Sequence, residues 1–219
     1  MGRETTGTEP TGTGAEIVYY YSAHSAFAYL GHARLLEVAA AAGRRVLHKP
    51  LDLHRVLAAG GAPGFAERSP AHLRYFFRRE IWRWAEYRGR PIAASRPSHH
   101  DRDYRPANRL LIACQAQGGD TDRLAEAFLG GHWAGDADLS DRATLARLCA
   151  EAGLAPEPLL AAAEDPAVEA LHRANTEEAI ALDLFGSPTY AVDGDLFYGQ
   201  DRLELVARAC RQPFGPSPA

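Results

Sequence analysis

The sequence predicts an α/β fold in which a small sheet domain is interrupted by a large all-helical insertion. Three observations predict it. A strand–helix–strand pattern opens the chain, a strand–hairpin–strand pattern with a final helix closes it, and the residues between about Pro70 and Leu184 have helical periodicity. An all-helical fold fails at both ends, and no internal repeat or coiled-coil heptad suggests another architecture. The 219 residues suffice for one such domain with its insertion.

Met1 to Glu16 is rich in Thr and Gly and has no apolar block, so it reads as a flexible tail and not as a secretory signal. Ile17 to Tyr21 is β-branched and aromatic, a buried first strand. The polar stretch Ser22 to Ser25 follows. Phe27, Leu30, Ala33, Leu35, Leu36 and Val38 then mark a helix ending at Gly43. Arg45 to Leu53 reads as a second strand, with Pro50 at an edge or an end. Gly60, Gly61, Pro63 and Gly64 form a loop. Helices follow over Leu110 to Ala116, Leu124 to Leu129, Leu145 to Ala152, Leu159 to Ala163 and Val168 to Leu184, with breaks near Pro91–Pro106, Gly118-Gly119, Gly130–Ser140 and Gly153–Pro158. Gly186 is expected just past the last of them. Thr189 to Val192 and Leu196 to Tyr198 are strands joined by the hairpin turn Asp193-Gly194-Asp195. Asp201 opens a final helix through Cys210. The expected organisation is a sheet domain over 16–65 and 185–212, a helical insertion over 66–184, and tails over 1–15 and 213–219.

Hydrophobic residues make up 46% of the chain and charged residues 24%, a globular composition. No apolar run approaches the roughly 18 residues of a membrane span, so no membrane partner is expected. Cys114, Cys149 and Cys210 are odd in number and lack metal or redox spacing, which argues against a disulfide framework and fits a reducing cytoplasm. The net charge is −4, yet Arg68 to Arg105 holds ten arginines against Glu80, Glu86, Asp101 and Asp103. Seven aromatics share that segment: Tyr75, Phe76, Phe77, Trp82, Trp84, Tyr87 and Tyr104. Tyr75, Arg78 or Arg79, Trp82 and Glu86 recur at helical spacing. Two readings stand: an amphipathic helix with its aromatics inward, or a lid whose arginines hold an anionic aromatic ligand. The patch contains no recognisable nucleic-acid motif and the chain is acidic, so nucleic acid is not an expected partner. His99-His100-Asp101-Arg102-Asp103 has residue types that suit a metal but no matching spacing. It reads as a solvated loop, and no metal is expected.

Three short stretches carry the chemistry. Ser22 to Leu30 runs from a strand into a helix N-terminus, where free N–H groups and the helix dipole favour an anion such as a thiolate. Ser25 is there either an N-cap or a functional hydroxyl. Phe185-Gly186-Ser187-Pro188-Thr189 holds either a turn or a cis-proline. In Gly199-Gln200-Asp201-Arg202-Leu203, Asp201 is either an N-cap or, with Gln200, a holder of amino-acid-like groups.

Taken together, these stretches resemble the 2-hydroxychromene-2-carboxylate isomerases, relatives of the kappa-class glutathione transferases and of the DsbA-like thioredoxin branch. The likeness runs from about Ile17 to Arg211 and is strongest in Phe197-Tyr198-Gly199-Gln200-Asp201-Arg202-Leu203. It implies a thioredoxin-like fold with an inserted helical domain, in a homodimer. Thiol-disulfide members begin the first helix with Cys-x-x-Cys. Here those positions are Ser25, Ala26, Phe27 and Ala28, which leaves no thiol for disulfide exchange at this site.

The resemblance further implies that Ser25 hydrogen-bonds the sulfur of glutathione. The thiolate adds to a conjugated double bond of a small aromatic carboxylic acid, the bond rotates, and elimination returns the thiol. Ser187, next to Pro188, would offer backbone groups to the thiol peptide, and Gln200 and Asp201 would hold its γ-glutamyl end. Tyr29 stands where the family has an aromatic. Arg79, Trp82 and Arg83 are the candidates for the substrate's aryl carboxylate, because guanidinium pairs bidentately with carboxylate. Ala26 replaces the family's Pro, His72 falls at a glutathione-holding Lys, and Gly61 falls near an Asn. His24, a possible acid or base with an ordinary pKa near 6.5, precedes the serine. Another low-molecular-weight thiol, a thiol-free enzyme using His24 and the arginines, and a catalytically silent DsbA-like binding protein are the alternatives.

Overall fold

The first strand, β1 (Glu16–Tyr21), is buried on both faces. Ile17, Tyr19 and Tyr21 enter one core, and Val18 and Tyr20 enter another. β1 pairs in parallel with β2 (Arg45–Pro50) and antiparallel with β3 (Thr189–Val192), which pairs antiparallel with β4 (Asp195–Tyr198). The sheet order is β2-β1-β3-β4, so Pro50 does end an edge strand. Asp193 (φ 49°) and Gly194 (φ 92°) form the two-residue β3–β4 turn, both left-handed as a type I′ hairpin requires. The computed structural model describes residues 16–61 and 67–216. The expected 1–15 tail, the last three residues of the 213–219 tail, and Pro63 and Gly64 of the expected loop lie outside these.

Ten α-helices surround the sheet among the described residues. α1 (Ala26–Ala41) follows β1. α2 (Leu53–Ala59) follows β2 and corrects the expected strand, which stops at Pro50. The apolar alternation of Leu51 and Leu53 mimics a strand, but Asp52 Oδ1 accepts from the N–H groups of His54 (3.1 Å) and Arg55 (3.3 Å) and starts a helix.

The helical block holds α3 (Pro70–Arg74), π-helical turns over Tyr75–Glu80, α4 (Ile81–Arg88), α5 (Arg105–Ala116), α6 (Thr121–Trp133), α7 (Arg142–Glu151), α8 (Pro156–Ala163) and α9 (Pro166–Ala181). A 3₁₀ turn (Gln200–Arg202) and α10 (Leu203–Ala209) close the fold.

Two expected boundaries move. α6 runs through Gly130 and Gly131 instead of breaking there. A Cβ at Gly131 would lie 2.8 Å from Leu148 Cδ2, so the glycine serves close approach of α7. α9 ends at Ala181, before Gly186. Asp183 takes the left-handed position (φ 53°), and the N–H groups of Asp183 and Leu184 bond the carbonyls of Ile180 and Ala179, both at 3.0 Å.

One continuous apolar cluster joins Ile17, Tyr19, Tyr21 and Tyr190 on the sheet, through Leu30 and Leu35 of α1, to Leu110, Phe128, Leu145 and Leu160 of the block. A second, smaller cluster lies against the other face, beneath α2 and α9. Among the described residues no helix is long and apolar enough to cross a membrane. Gly31, inside α1, lets the Gln200 segment close on the helix, since a Cβ there would lie 2.6 Å from Gln200 Cβ and 3.0 Å from the Tyr190 hydroxyl. Gly31→Ala is therefore expected to destabilise the protein by about 1–3 kcal/mol, read as a lowered urea midpoint, although alanine is the better helix former.

Candidate active site

The turn between β1 and α1 is fixed from three directions. Ser22 N–H donates to Ser187 Oγ (3.1 Å), Ala23 N–H to Asn108 Oδ1 (2.9 Å), and Trp133 Nε1–H to the His24 carbonyl (2.9 Å). Asn108 also donates from Nδ2 to the Leu51 carbonyl (2.9 Å), so one buried amide ties the ends of both parallel strands to α5. Ser25 caps α1, accepting from Ala28 N–H (3.3 Å) while its hydroxyl donates to the Ser187 carbonyl (3.2 Å). The Ser187–Pro188 peptide is cis, and Gly199 N–H holds the Pro188 carbonyl (2.9 Å). Ser25 is thus an N-cap that also faces the residue before a cis-proline.

Above this floor lies a cavity of about 760 Å³. His24, Ser25, Trp82 and Ser187 line it, as expected of site residues. The other expected residues do not. Tyr29 is buried under the Arg90 guanidinium (4.3 Å), with its hydroxyl on the Pro91 carbonyl (2.5 Å). Gln200 is buried against Arg88, which donates to its side-chain oxygen (3.3 Å) and its carbonyl (3.2 Å). Asp201 is exposed and paired with Arg202 (2.7 Å). Gly61 (φ 69°) follows Gly60, the C-cap of α2, and is not among the residues lining the cavity. His72 is exposed, and Arg68 Nη1 donates to it (3.3 Å). Arg83 pairs with Glu80 over the Tyr75 ring, and Arg79 points to solvent.

Helical phase explains the exchange of arginines. Arg78, Ile81 and Trp82 share one face of the π-helical turns and α4, and that face covers the cavity. Arg68 and Arg96 also line the wall: Arg96 donates to Asp101 (2.7 Å), and Arg68 is stacked on Phe77 (5.1 Å) with its Nε buried and without a hydrogen-bond partner. The wall between Arg68 and Arg78 is aromatic, with Phe27 and Phe76 in contact at 5.1 Å. Sequence reasoning named Arg78 only as an alternative to Arg79 and missed the roles of Arg68, Asn108 and Trp133. The one signal available for Asn108 was an Asn two residues before the apolar run Leu110 to Cys114.

The expected solvated loop is corrected. His100 turns inward, 5.0 Å from the His24 ring and 5.2 Å from the His132 ring, and lines the cavity. His24 stacks on Tyr104 at 3.8 Å, and Ser22 Oγ lies 2.7 Å from its Nδ1. The expected ordinary pKa of His24 is corrected too. Burial, then the nearby His100, His132 and His54, hold it well below the usual histidine range. Burial pushes His100 down to about 3 and His32 to about 4, and lowers His132. The folded state therefore binds fewer protons than the unfolded chain below about pH 6.5. Stability is expected to be undiminished above pH 6.5 and to fall as pH drops toward 4, by up to about 1.4 kcal/mol per pH unit for each of these histidines. Urea melts across that range check it, and a flat profile would contradict neutral burial.

The comparisons with known proteins agree with this fold. The family model described as a DSBA-like thioredoxin domain matches residues 16–211. A 2-hydroxychromene-2-carboxylate isomerase from Sphingobium xenophagum is 26% identical over 194 residues, which covers 87% of this chain and 95% of the relative. A solved 2-hydroxychromene-2-carboxylate isomerase has a TM-score of 0.71 at 24% identity, over 90% of this chain and 97% of that one. A cytosolic disulfide reductase, DsbM from Pseudomonas aeruginosa with GSH, has a TM-score of 0.59 at 21% identity, over 90% of this chain and 93% of that one. With the strand order, the cis-proline and a helix beginning beside it in place, the chain belongs to the DSBA-like thioredoxin domain family.

Proposed function

We propose that this chain is an isomerase of small aromatic carboxylic acids that works with a low-molecular-weight thiol, glutathione or an equivalent. One observation carries the reading: Ser25, and not a cysteine, begins α1 at the floor of the cavity, facing Ser187 and the cis-proline. The kinship with proteins named 2-hydroxychromene-2-carboxylate isomerase supports the reaction class, and a relative solved with GSH supports the thiol.

A thiol fits the floor. Ala26 and Phe27, the first residues of α1, line the cavity, and the free N–H groups of a helix start favour a thiolate there. When bound, the thiol supplies a nucleophile that adds reversibly to a conjugated double bond. Ser25 holds the sulfur by turning its hydroxyl hydrogen from the Ser187 carbonyl toward it. Arg68 and Arg78 hold the carboxylate, and Phe27, Phe76 and Trp82 hold the ring and exclude water. His24, a weak base in this setting, orders the floor through Ser22 and Tyr104. The residues expected to hold the γ-glutamyl end, Gln200 and Asp201, face elsewhere, so the thiol is held chiefly at its sulfur end.

The test is isomerisation of 2-hydroxychromene-2-carboxylate followed by absorbance, with and without reduced glutathione, beside calorimetric titration of the thiol. Thiol-dependent conversion is expected. Conversion that is equally fast without any thiol would overturn the thiol's role, and no conversion with any of several thiols would overturn the isomerase reading.

A further inference from the structure

The inner wall of the cavity carries a chain of imidazoles whose hydrogen positions are fixed by one carbonyl. His132 Nδ1 lies 2.9 Å from the Ala137 carbonyl, which can only accept, so Nδ1 carries the hydrogen. A neutral His132 then has a bare Nε2. That atom lies 2.9 Å from His100 Nδ1, so His100 must donate through Nδ1, which leaves its own Nε2 bare. Both rings are neutral because burial disfavours their charged forms. His100 Nε2 has no hydrogen-bond partner among the described residues, and His100 lines the cavity. Trp133, edge-on to His100 at 5.1 Å, and His24, at 5.0 Å, hold the ring in place. The inner wall thus offers a ligand an acceptor of fixed tautomer, while the cations Arg68 and Arg78 line the same cavity beside aromatic side chains.

We propose that His100 Nε2 accepts a hydrogen bond from a ring hydroxyl of the aromatic acid, so that the site selects hydroxylated aryl carboxylates over their unsubstituted parents. This rests on the reading of the cavity as an aromatic-acid site. The hydroxyl keeps its hydrogen and donates it to Nε2. His132 and the Ala137 carbonyl are the positioning groups that keep that lone pair available. A hydroxyl-free ring leaves the acceptor unpaired in a partly dry wall, which is the physical source of the discrimination.

The experiment is calorimetric titration at pH 7.5 with cinnamate and with its 2-, 3- and 4-hydroxy derivatives, using the wild type, His100→Phe and His132→Phe. At least one hydroxycinnamate is expected to bind the wild type about 10-fold tighter than cinnamate. His100→Phe is expected to bring that ratio to about one. His132→Phe, which frees the tautomer, is expected to give an intermediate ratio. A ratio that survives His100→Phe, or that is near one in the wild type, overturns the hydroxyl assignment and leaves the aromatic-acid reading standing. Failure of all four acids to bind overturns both. A two-bond ¹H–¹⁵N correlation spectrum of the wild type needs no variant: His100 Nε2 is expected to be unprotonated, and a protonated Nε2 overturns the assignment.

Discussion

Ser25→Ala is expected to lower thiol-dependent turnover about 100- to 1,000-fold while leaving the fold intact. The loss is of the size seen when one preorganised donor to developing charge is removed. The hydroxyl has two partners in the structure, Ala28 N–H and the Ser187 carbonyl, so the substitution also deletes an N-cap. That cap contributes about 1 kcal/mol, a shift of a few degrees in the melting midpoint for a chain of this size. The two effects separate in measurement: turnover followed by absorbance, and stability by thermal melting. Turnover reduced less than about threefold would show that Ser25 is a cap and nothing more. Ser25→Thr keeps both the cap and the hydroxyl and is expected to recover part of the activity, which a merely structural role would not predict.

Asn108→Ala is expected to have the largest effect on stability, a loss of about 2–5 kcal/mol. Two fully buried backbone groups lose their partner at once, the Ala23 N–H and the Leu51 carbonyl, and each costs about 1–3 kcal/mol when left unpaired in the interior. Alanine also leaves a cavity beside His172, which lies 3.2 Å from Asn108 Nδ2. Urea denaturation gives the number directly. A change below 1 kcal/mol would mean that water enters and satisfies both groups. Because Ala23 lies two residues before Ser25, the variant is expected to lose turnover even where it remains folded.

The architecture was legible in the sequence because its signals are local. The run Ile17 to Tyr21 is apolar on both faces, and Asp193-Gly194 is a turn with one backbone solution. The family motifs at both ends then pointed to the topology. The helix α2 was not legible, because Leu51 and Leu53 alternate as a strand does and only the capping bonds of Asp52 reveal the turn of the chain. The site was legible at its floor. Ser25 and Ser187 are adjacent to sequence landmarks, a helix start and a proline. Its walls were not. Whether Arg78 or Arg79 faces inward depends on the wider spacing of the π-helical turns, and the inward turn of His100 depends on a partner, His132, supplied by another helix. Arg68 reaches the wall from the loop before α3 while His72 faces solvent, a contact that no spacing rule specifies.

The Ala23 amide has a consequence for how the molecule opens. Its acceptor, Asn108, belongs to α5 and its own residue to the β1–α1 turn, and Ala23 and Ala107 beside Asn108 both sit in the apolar cluster that runs from the sheet into the helical block. Neither half can loosen without exposing that hydrogen, and exposing it requires separating surfaces that nearly all of the core holds together. In deuterium oxide this amide is expected to belong to the slowest-exchanging class, at a rate set by global unfolding instead of local fraying. The floor of the site then has no soft mode of its own, and motions that admit ligand are left to the segment around Arg68, Arg78 and Trp82.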